Sequence, residues 1–416
     1  MKILVINCGS SSIKYQLFDM EREELLAKGM VEKIGEKYSV FHQETKKRKI
    51  KKTVKVSDHG QGLQLIIKFL LDRSYGIIKN VSEISAVGHR VVHGGSKFIK
   101  PTLITEDVIR TVKKYVVFAP LHNPPNLAGI EAAMSSLPNV PQVAVFDTAF
   151  HQTMPEEAYV YPIPYEYYKK YGIRRYGFHG TSHQYVVREA AKTLGKDIGG
   201  LKIITCHLGA GCSMAAVKGG KSIDTSMGFT PLEGLPMGTR SGDIDPFIII
   251  FIAEKEGLSL QDVNDILNKK SGLFGISGVS NDVREITESA EGGNHRAKLA
   301  LNIFAYRVRK YIGAYAAVLG GVDALVFTGG IGEKSVDLRS KICDGLDFLG
   351  VKLDETKNKD PGKWAGAINR DDSPAKILVI PTWEELMIAR ETFGIVQKLG
   401  EARSFKSSHA ISGRRI

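Results

Sequence analysis

Residues 3–19 read ILVINCGSSSIKYQLFD, and residues 203–224 read IITCHLGAGCSMAAVKGGKSID. Each stretch starts with an apolar run, passes through a turn of small residues and returns in a second run, which is the pattern of a β-hairpin. The recurrence of this unit after about two hundred residues predicts two related α/β halves. Between two such halves we expect a cleft in which both grip one ligand.

Other segments supply the rest of two α/β domains. Strands predicted over 86–92 and 142–146 run into His93 and Asp147, at the carboxyl ends where open α/β sheets place ligands. A strand over 322–328 leads into Gly329 and a helix, and a strand over 377–380 precedes the closing helix over 381–398. Apolar spacing predicts the other helices over 61–71, 105–117, 126–136, 184–194, 261–269 and 295–319.

The length and composition indicate a globular protein of two domains. The 416 residues exceed the roughly 250–300 at which a single core stops growing. We expect an N-terminal domain over 1–149, completed by the helix 384–398, a C-terminal domain over 150–383, and a disordered basic tail over 400–416. The apolar run 247–253 is far too short for a membrane span, and the first residues are too weakly charged for a signal peptide.

The four cysteines form no disulfide framework, and the spacing of Cys206, His207 and Cys212 matches no common zinc pattern. We therefore expect a cytoplasmic protein. The net charge of +12 favours acidic partners such as phosphorylated small molecules, nucleic acid or acidic membranes. Much of it lies in residues 46–55, KKRKIKKTVK, which we interpret as a charged edge hairpin, because no aromatic residues interleave the lysines as they do in nucleic-acid sites.

Residues 224–246, DTSMGFTPLEGLPMGTRSGDIDP, fit neither a helical nor a strand period. Met227, Leu235 and Met237 are apolar anchors that a solvated linker lacks, so an ordered, functional loop is predicted. Such a loop presents Arg240 to an anionic group. The alternative is that Arg240 neutralises Asp243 or Asp245.

Three turns rich in small residues are candidates for phosphate binding. The first holds Asn7, Ser10, Ser12 and Lys14 and lacks the P-loop pattern. The second is 207–211, and the third is 329–332, which also fits a plain strand–helix turn and lacks the dinucleotide-binding pattern. Histidines 89, 93, 151, 179 and 183 are each, taken singly, better explained as structural, and Ser182 lies in no serine-hydrolase elbow.

The motifs together resemble the acetate kinase family, within the actin/Hsp70/sugar-kinase superfamily. The resemblance covers residues 1 to about 399 and is carried by eight segments: LVINCGSSSIK, GHRVVHGG, VFDTAFH, RRYGFHGTSH, CHLGAGCS, DTSMGFTPLEGLPMGTRSGDIDP, FTGGIGE and EELMIAR. It implies two duplicated actin-like (ribonuclease H-like) domains with an active-site cleft, the C-terminal one binding the nucleotide. It also implies a homodimer that binds neither nucleic acid nor membrane.

The activity implied is reversible phosphoryl transfer from ATP to acetate, giving acetyl phosphate and ADP with Mg²⁺ or Mn²⁺. At matching motif positions, the resemblance assigns catalytic roles to Arg90, Asp147, His179 and Arg240. Asn7 and Glu384 would hold the metal through water. The acetate pocket would comprise Arg90, Val92, Leu121, Phe178 and Pro231. The nucleotide would contact Ser10, Ser12, Lys14, His207, Leu208, Gly209, Ala210, Gly211, Asp282, Val283, Arg284, Gly330, Ile331, Gly332, Glu333 and Lys334.

This sequence departs from the family pattern at several positions. Ala210 and Lys334 each stand where the family has asparagine, as does Trp383 before the glutamate pair, and Cys8 replaces a common serine. Two interpretations of Lys334 are open: its charge compensates at a phosphate for the amide missing at Ala210, or it changes the affinity for the nucleotide. The alternatives are a propionate or butyrate kinase, a pyrophosphate-linked kinase, or a nucleotide-switched scaffold of the actin/Hsp70 type, which would need neither Arg90 nor Arg240.

Overall fold

A computed structural model describes residues 1–120 and 122–412. The chain divides into two compact units. The first unit comprises Met1–Ala149 and the segment that begins at Trp383, and the second unit comprises Phe150–Thr382.

The described elements are numbered along the chain. The strands are β1 Lys2–Gly9, β2 Ser12–Asp19, β3 Glu24–Glu32, β4 Ser39–Thr45, β5 Lys49–Val54, β6 Ile84–Val91, β7 Thr102–Leu103, β8 Gln142–Phe146, β9 Lys202–Leu208, β10 Cys212–Lys218, β11 Lys221–Thr225, β12 Ala324–Thr328 and β13 Lys376–Val379. The helices are α1 His59–Leu71, α2 Glu106–Lys114, α3 Asn123–Ser136, α4 Glu156–Tyr159, α5 Tyr165–Tyr171, α6 Gly180–Leu194, α7 Phe247–Glu256, α8 Leu260–Lys269, α9 Gly272–Ser277, α10 Val283–Glu291, α11 His295–Leu319, α12 Gly329–Lys334, α13 Val336–Cys343, α14 Glu355–Lys359 and α15 Glu384–Ser412.

The first unit is built on a sheet with the order β5-β4-β3-β2-β1-β6-β8-β7. Strands β1 to β5 are successive antiparallel hairpins, whereas β6 runs parallel to β1 and β8 parallel to β6. The lysine-rich segment forms β5 at the sheet edge, which confirms the predicted edge hairpin. Helices α1 and α3 pack on the face of Leu4 and Ile6. Helix α15 packs on β1, β6 and β8, and a Cβ on Gly88 would lie 2.8 Å from Ile388 of α15.

The second unit repeats this topology. Its sheet has the order β11-β10-β9-β12-β13, in which β9, β10 and β11 are antiparallel and β12 and β13 add in parallel to β9. The five strands β3-β2-β1-β6-β8 of the first unit are related in the same way. Helix α6 packs against β9 and β12, and α11 against β9 and β10. The predicted duplicated, actin-like α/β fold is therefore confirmed.

The last helix is longer than predicted. It continues to Ser412, through most of the segment expected to be a disordered tail. Residues 413–416 lie outside the described part of the chain. No helix that the structure describes is long and apolar enough to cross a membrane.

Candidate active site

In the first unit, Arg90 is fixed in place by a carboxylate. It lies near the end of β6, and the parallel neighbour β8 brings Asp147 beside it. Arg90 Nε donates to Asp147 Oδ1 at 3.0 Å and Nη2 donates to Oδ2 at 2.7 Å, a two-pronged ion pair. Arg90 Nη1 lies 3.5 Å from Oε2 of Glu384, at the start of α15. Burial alone would lower the pKa of Arg90, but the charges of Asp147 and Glu384 outweigh it and raise that pKa. The guanidinium is therefore charged and oriented.

The turn between β1 and β2 lies beside this arginine. Asn7 and Lys14 are cross-strand partners, and Ser10 and Lys14 are exposed. Asn126 of α3 links the turn to the end of β6, since its amide donates to Cys8 O at 3.0 Å and accepts from the Val92 N–H at 3.0 Å. The turn thus presents hydroxyl, amide and ammonium groups on a fixed backbone, as a phosphate-binding turn requires.

The candidate metal residues are hard oxygen donors. Asn7 and Glu384 are both partly exposed, and the raised pKa of Glu385, due to burial and to the charge of Glu384, marks the start of α15 as rich in carboxylate. Trp383 is turned away into the first sheet, where its indole N–H donates to Gln16 Oε1 at 2.8 Å. Within the described residues no group of three or more His, Cys, Asp or Glu side chains forms a metal cage.

In the second unit, His179 has a strained backbone. Its φ of 55° and ψ of 24° lie in the left-handed region, directly before α6. Non-glycine residues in that region cost of order 1–3 kcal/mol and cluster at functional sites. Its Nδ1 lies 2.9 Å from Ser213 Oγ on β10, and its ring stacks on His207 with centroids 4.4 Å apart. The ring orientation is therefore set by two neighbours.

The turn between β9 and β10 brings Arg240 and His179 together. A Cβ built on Gly211 would lie 3.5 Å from His179 Nε2 and 3.7 Å from Arg240 Nη1. Arg240 Nη1 donates to Pro231 O at 2.9 Å, and burial lowers the pKa of its guanidinium. Among the described residues Arg240 forms no ion pair with a carboxylate, so the alternative in which it neutralises Asp243 or Asp245 is wrong.

The loop predicted over 224–246 has no helix or strand from 226 to 246, whereas its first two residues, Asp224 and Thr225, belong to β11. Met227, Leu235 and Met237 are fully buried. Arg175 clamps the loop, because it donates to the carbonyls of Thr225 and Ser226 at 2.8 and 3.2 Å and pairs with Glu233 at 2.6 Å.

Asp243 secures the far end of the loop. It accepts from the Gly234 N–H at 2.7 Å and from the Tyr311 hydroxyl at 2.6 Å. The sequence reasoning missed Arg175 and Tyr311, because the residues of the loop do not indicate which distant side chains bind it. The three carboxylates of the loop, Glu233, Asp243 and Asp245, were the only indication in the sequence that the loop needed hydrogen-bond donors from elsewhere in the chain.

The other nucleotide candidates lie around the same turn. His207 of β9 and Thr328 of β12 are register partners, which places α12 next to the 209–211 turn. Gly329 has φ 77°, and a Cβ there would lie 2.7 Å from Leu208 O, so glycine is required. Glu333 closes α12 by accepting from the Gly329 N–H at 3.0 Å.

Residues 281–284 approach the turn through Gly238. The Gly238 N–H donates to Ala210 O at 3.1 Å, and a Cβ on Gly238 would lie 3.4 Å from Asn281 Cβ. Asp282 and Arg284 instead pair with each other at 2.5 Å on the surface, where Asp282 also caps α10.

Of the predicted acetate pocket, Val92 and Phe178 are buried and Pro231 is partly exposed. Leu121 lies outside the described residues.

Comparisons with known proteins agree with this arrangement. The sequence profile of the acetokinase family matches residues 2–390. An acetate kinase from Carboxydothermus hydrogenoformans is 60% identical over 397 residues, which is 95% of this chain and 99% of that protein. An acetate kinase from Halothermothrix orenii is 58% identical over 398 residues, or 95% of this chain and all of that protein.

Solved structures give the same result. A Porphyromonas gingivalis acetate kinase superposes with a TM-score of 0.89 at 47% identity, covering 95% of this chain and 99% of its own. A propionate kinase from Francisella tularensis superposes with a TM-score of 0.88 at 45% identity, covering 94% and 99%. The chain belongs to the acetokinase family.

Proposed function

We propose that this protein is an acetate kinase, which reversibly transfers the γ-phosphoryl group of ATP to acetate. An acetate oxygen attacks the γ-phosphorus, the bond from that phosphorus to the β,γ-bridging oxygen breaks, and acetyl phosphate and ADP result. The observation that carries the proposal is the convergence of His179 and Arg240 on Gly211, which supplies donors beside a turn suited to phosphate.

No general base is needed for this reaction. The carboxyl group of acetate has a pKa near 4–5, about that of a glutamate side chain, so the nucleophile is already an anion at neutral pH. The obstacle is repulsion between acetate and a polyanionic nucleotide, which Arg90 and Arg240 counter with fixed positive charge. Because both oxygens of Asp147 are engaged by Arg90, we assign Asp147 to orienting that arginine and not to accepting a proton.

The reaction would use Mg²⁺, or Mn²⁺, bound with the nucleotide. Mg²⁺ is usually held by one or two carboxylates together with water and substrate phosphates, and dedicated protein cages for it are uncommon. The partly exposed Asn7 and Glu384 fit that requirement, and would hold the ion through water. When bound, the ion would neutralise phosphate charge. The nucleotide itself would contact the turns 10–14 and 207–211 and residues 330–334 and 282–284.

A propionate kinase is the second candidate, because the Francisella tularensis structure of that name is nearly as similar as the acetate kinase. One methylene in a pocket is worth only about 1–3 kcal/mol, so neither acid is excluded by chemistry. The test traps acyl phosphate as hydroxamate for acetate, propionate and butyrate, each with ATP or pyrophosphate as donor. We expect acetate with ATP to give the highest kcat/KM. A higher value for propionate, or for pyrophosphate, would replace the proposal with that alternative.

We also propose a homodimer in which α7 is covered by a second copy. The helix reads FIIIFIAEKE, none of its residues is buried, and Phe247 and Ile250 are 62% and 52% exposed. A contiguous apolar surface of this kind marks an interaction site. Light scattering of the Ile250→Lys variant should give half the mass of the parent protein. An unchanged mass would exclude α7 from the interface.

We further propose a cytoplasmic location for the protein. The four cysteines are free and buried, which supports this location.

A further inference from the structure

We propose that a buried relay of Thr205, His183 and Ser213 fixes the tautomer of His179, so that the neutral ring of His179 carries its proton on Nε2. All three relay residues are fully buried in the second unit. They are positioning residues and contact no substrate. Their importance for turnover rests on the proposed function, but the tautomer itself does not.

The relay is a continuous line of short contacts. Thr205 Oγ1 lies 2.7 Å from His183 Nδ1, and His183 Nε2 lies 2.8 Å from Ser213 Oγ. Ser213 Oγ then lies 2.9 Å from His179 Nδ1. Each distance is that of a well-formed hydrogen bond, so every neighbouring pair shares one proton.

The number of protons restricts the line to two arrangements. Ser213 Oγ could accept from both rings only by leaving its own buried hydrogen without an acceptor among the described residues, so it donates to one ring and accepts from the other. Burial holds the pKa of His183 well below its usual value, and its neutral ring likewise donates from one nitrogen only. The hydrogen bonds of the relay therefore all donate in one direction, either from Thr205 towards His179 or from His179 towards Thr205.

Thr205 selects between the two directions. Its hydroxyl has two acceptors within reach, His183 Nδ1 at 2.7 Å and the Ala215 carbonyl at 3.5 Å. If Thr205 donated to the Ala215 carbonyl, the 3.5 Å contact would give a buried donor little hydrogen-bond energy. Thr205 therefore donates its hydroxyl hydrogen to His183 Nδ1. His183 Nε2–H then donates to Ser213, and Ser213 donates to His179 Nδ1. The remaining proton of His179 is on Nε2.

This direction suits the proposed reaction. The Nε2 edge of His179 faces the glycine turn, 3.5 Å from a Cβ position on Gly211. With its proton held on Nε2, the neutral imidazole donates to a phosphoryl oxygen without first gaining a proton. In the reverse direction Nε2 would present a lone pair to that oxygen and repel it.

The direct test is the tautomer of His179 in the full-length protein, without substrate. Histidine labelled with ¹⁵N is observed by long-range proton–nitrogen correlation at mildly alkaline pH, and the His179 signals are assigned by their loss in His179→Gln. We expect the Nε2–H pattern for both His179 and His183. An Nδ1–H pattern for either ring would overturn the proposal, whatever the activity.

Removing the central hydroxyl tests the coupling. In Ser213→Ala a second, Nδ1–H population of His179 should appear, and kcat should fall about tenfold, the scale of one ordered hydrogen bond, with KM nearly unchanged. Ser222→Ala is the matched control, since it removes another buried Ser–His contact, 2.8 Å from His151 Nδ1. It should leave the His179 signals as in the parent. Unchanged His179 signals and kcat in Ser213→Ala would exclude the relay; should that variant not fold, the parent spectrum still decides.

Discussion

Arg90 uses two of its nitrogens on Asp147, and this geometry cannot be reproduced by a lysine. The paired contacts of 3.0 and 2.7 Å need a planar fork, and a compact ammonium would give up one of them. Arg240 is held differently, through a carbonyl at 2.9 Å, and no carboxylate of the described residues forms an ion pair with it. The two arginines thus offer one positive charge fixed by a carboxylate and one held by a carbonyl.

We predict that Arg90→Ala and Arg240→Ala each lower kcat at least about a hundredfold while the protein stays folded. Losing one preorganised donor to transition-state charge typically costs about 3–4 kcal/mol. The matched control is Arg296→Ala, which removes an exposed arginine whose hydrogen bonds within the described part of the chain go to the carbonyls of residues 275 and 276. Steady-state kinetics with circular dichroism would check all three. Parent-like kinetics in either active-site variant would remove that arginine from the mechanism.

Lys334 and Ala210 provide a second residue-scale prediction. If Lys334 supplies the phosphate contact that Ala210 lacks, Lys334→Asn alone should weaken ADP binding more than the double change with Ala210→Asn does. Coupling of about 0.5–3 kcal/mol is usual for two residues that share one ligand group. Calorimetric titration of ADP into the three variants measures it, and simple additivity would mean that the two positions act independently. Pyrophosphate in the same titration should bind more weakly than ADP.

At the scale of elements, the loop 226–246 shows which features a sequence reveals. Its lack of periodicity and its apolar anchors predicted an ordered loop, because solvated linkers are poor in large apolar side chains such as those of Met227 and Leu235. Its clamp was not predictable, since Arg175 lies 50 residues before Thr225 in the chain and belongs to a motif with several basic residues. Hydrogen bonds between distant segments depend on tertiary packing, which local patterns do not encode.

Tyr311→Phe tests the far end of that clamp. The substitution removes the 2.6 Å hydrogen bond to Asp243, leaving a half-buried carboxylate oxygen without its donor, so the free energy of unfolding should fall by about 1–3 kcal/mol. Tyr306→Phe on the same helix is the control, because that ring is 60% exposed. Urea denaturation of both variants would check the difference. Equal midpoints would show that the Asp243 contact does not stabilise the loop.

For the whole molecule, the recurring hairpin predicted two related α/β halves, whereas the actin-like fold was implied by the family resemblance. The hairpins at 3–19 and 203–224 account for the adjacent pairs β1-β2 and β9-β10. The full order shared by β3-β2-β1-β6-β8 and β11-β10-β9-β12-β13 depends on long-range pairing that the hairpins do not specify. The sequence did not predict the buried histidine relay, because each histidine taken singly is better explained as structural. Only their distances to Thr205 and Ser213 distinguish the relay from ordinary core histidines.

Buried histidines also make the stability of both units depend on pH. Burial lowers the pKa of His89 in the first unit and of His151 in the second to about 4, against about 6.5 in an unfolded chain. The unfolded state therefore binds more protons between those values, and the stability should fall as the pH falls from 6.5 towards 4. Thermal unfolding as a function of pH measures this. His89→Gln should reduce the slope, and an unchanged slope would mean that His89 is not neutral in the folded protein.

Phosphoryl transfer from ATP to acetate is measured most directly by ³¹P nuclear magnetic resonance of the purified protein with acetate, ATP and Mg²⁺. The account predicts that acetyl phosphate and ADP appear in equal amounts, that acetyl phosphate and ADP added instead regenerate ATP, and that Arg240→Ala is at least about a hundredfold slower in both directions. Release of inorganic phosphate without acetyl phosphate, or no consumption of ATP, would contradict it.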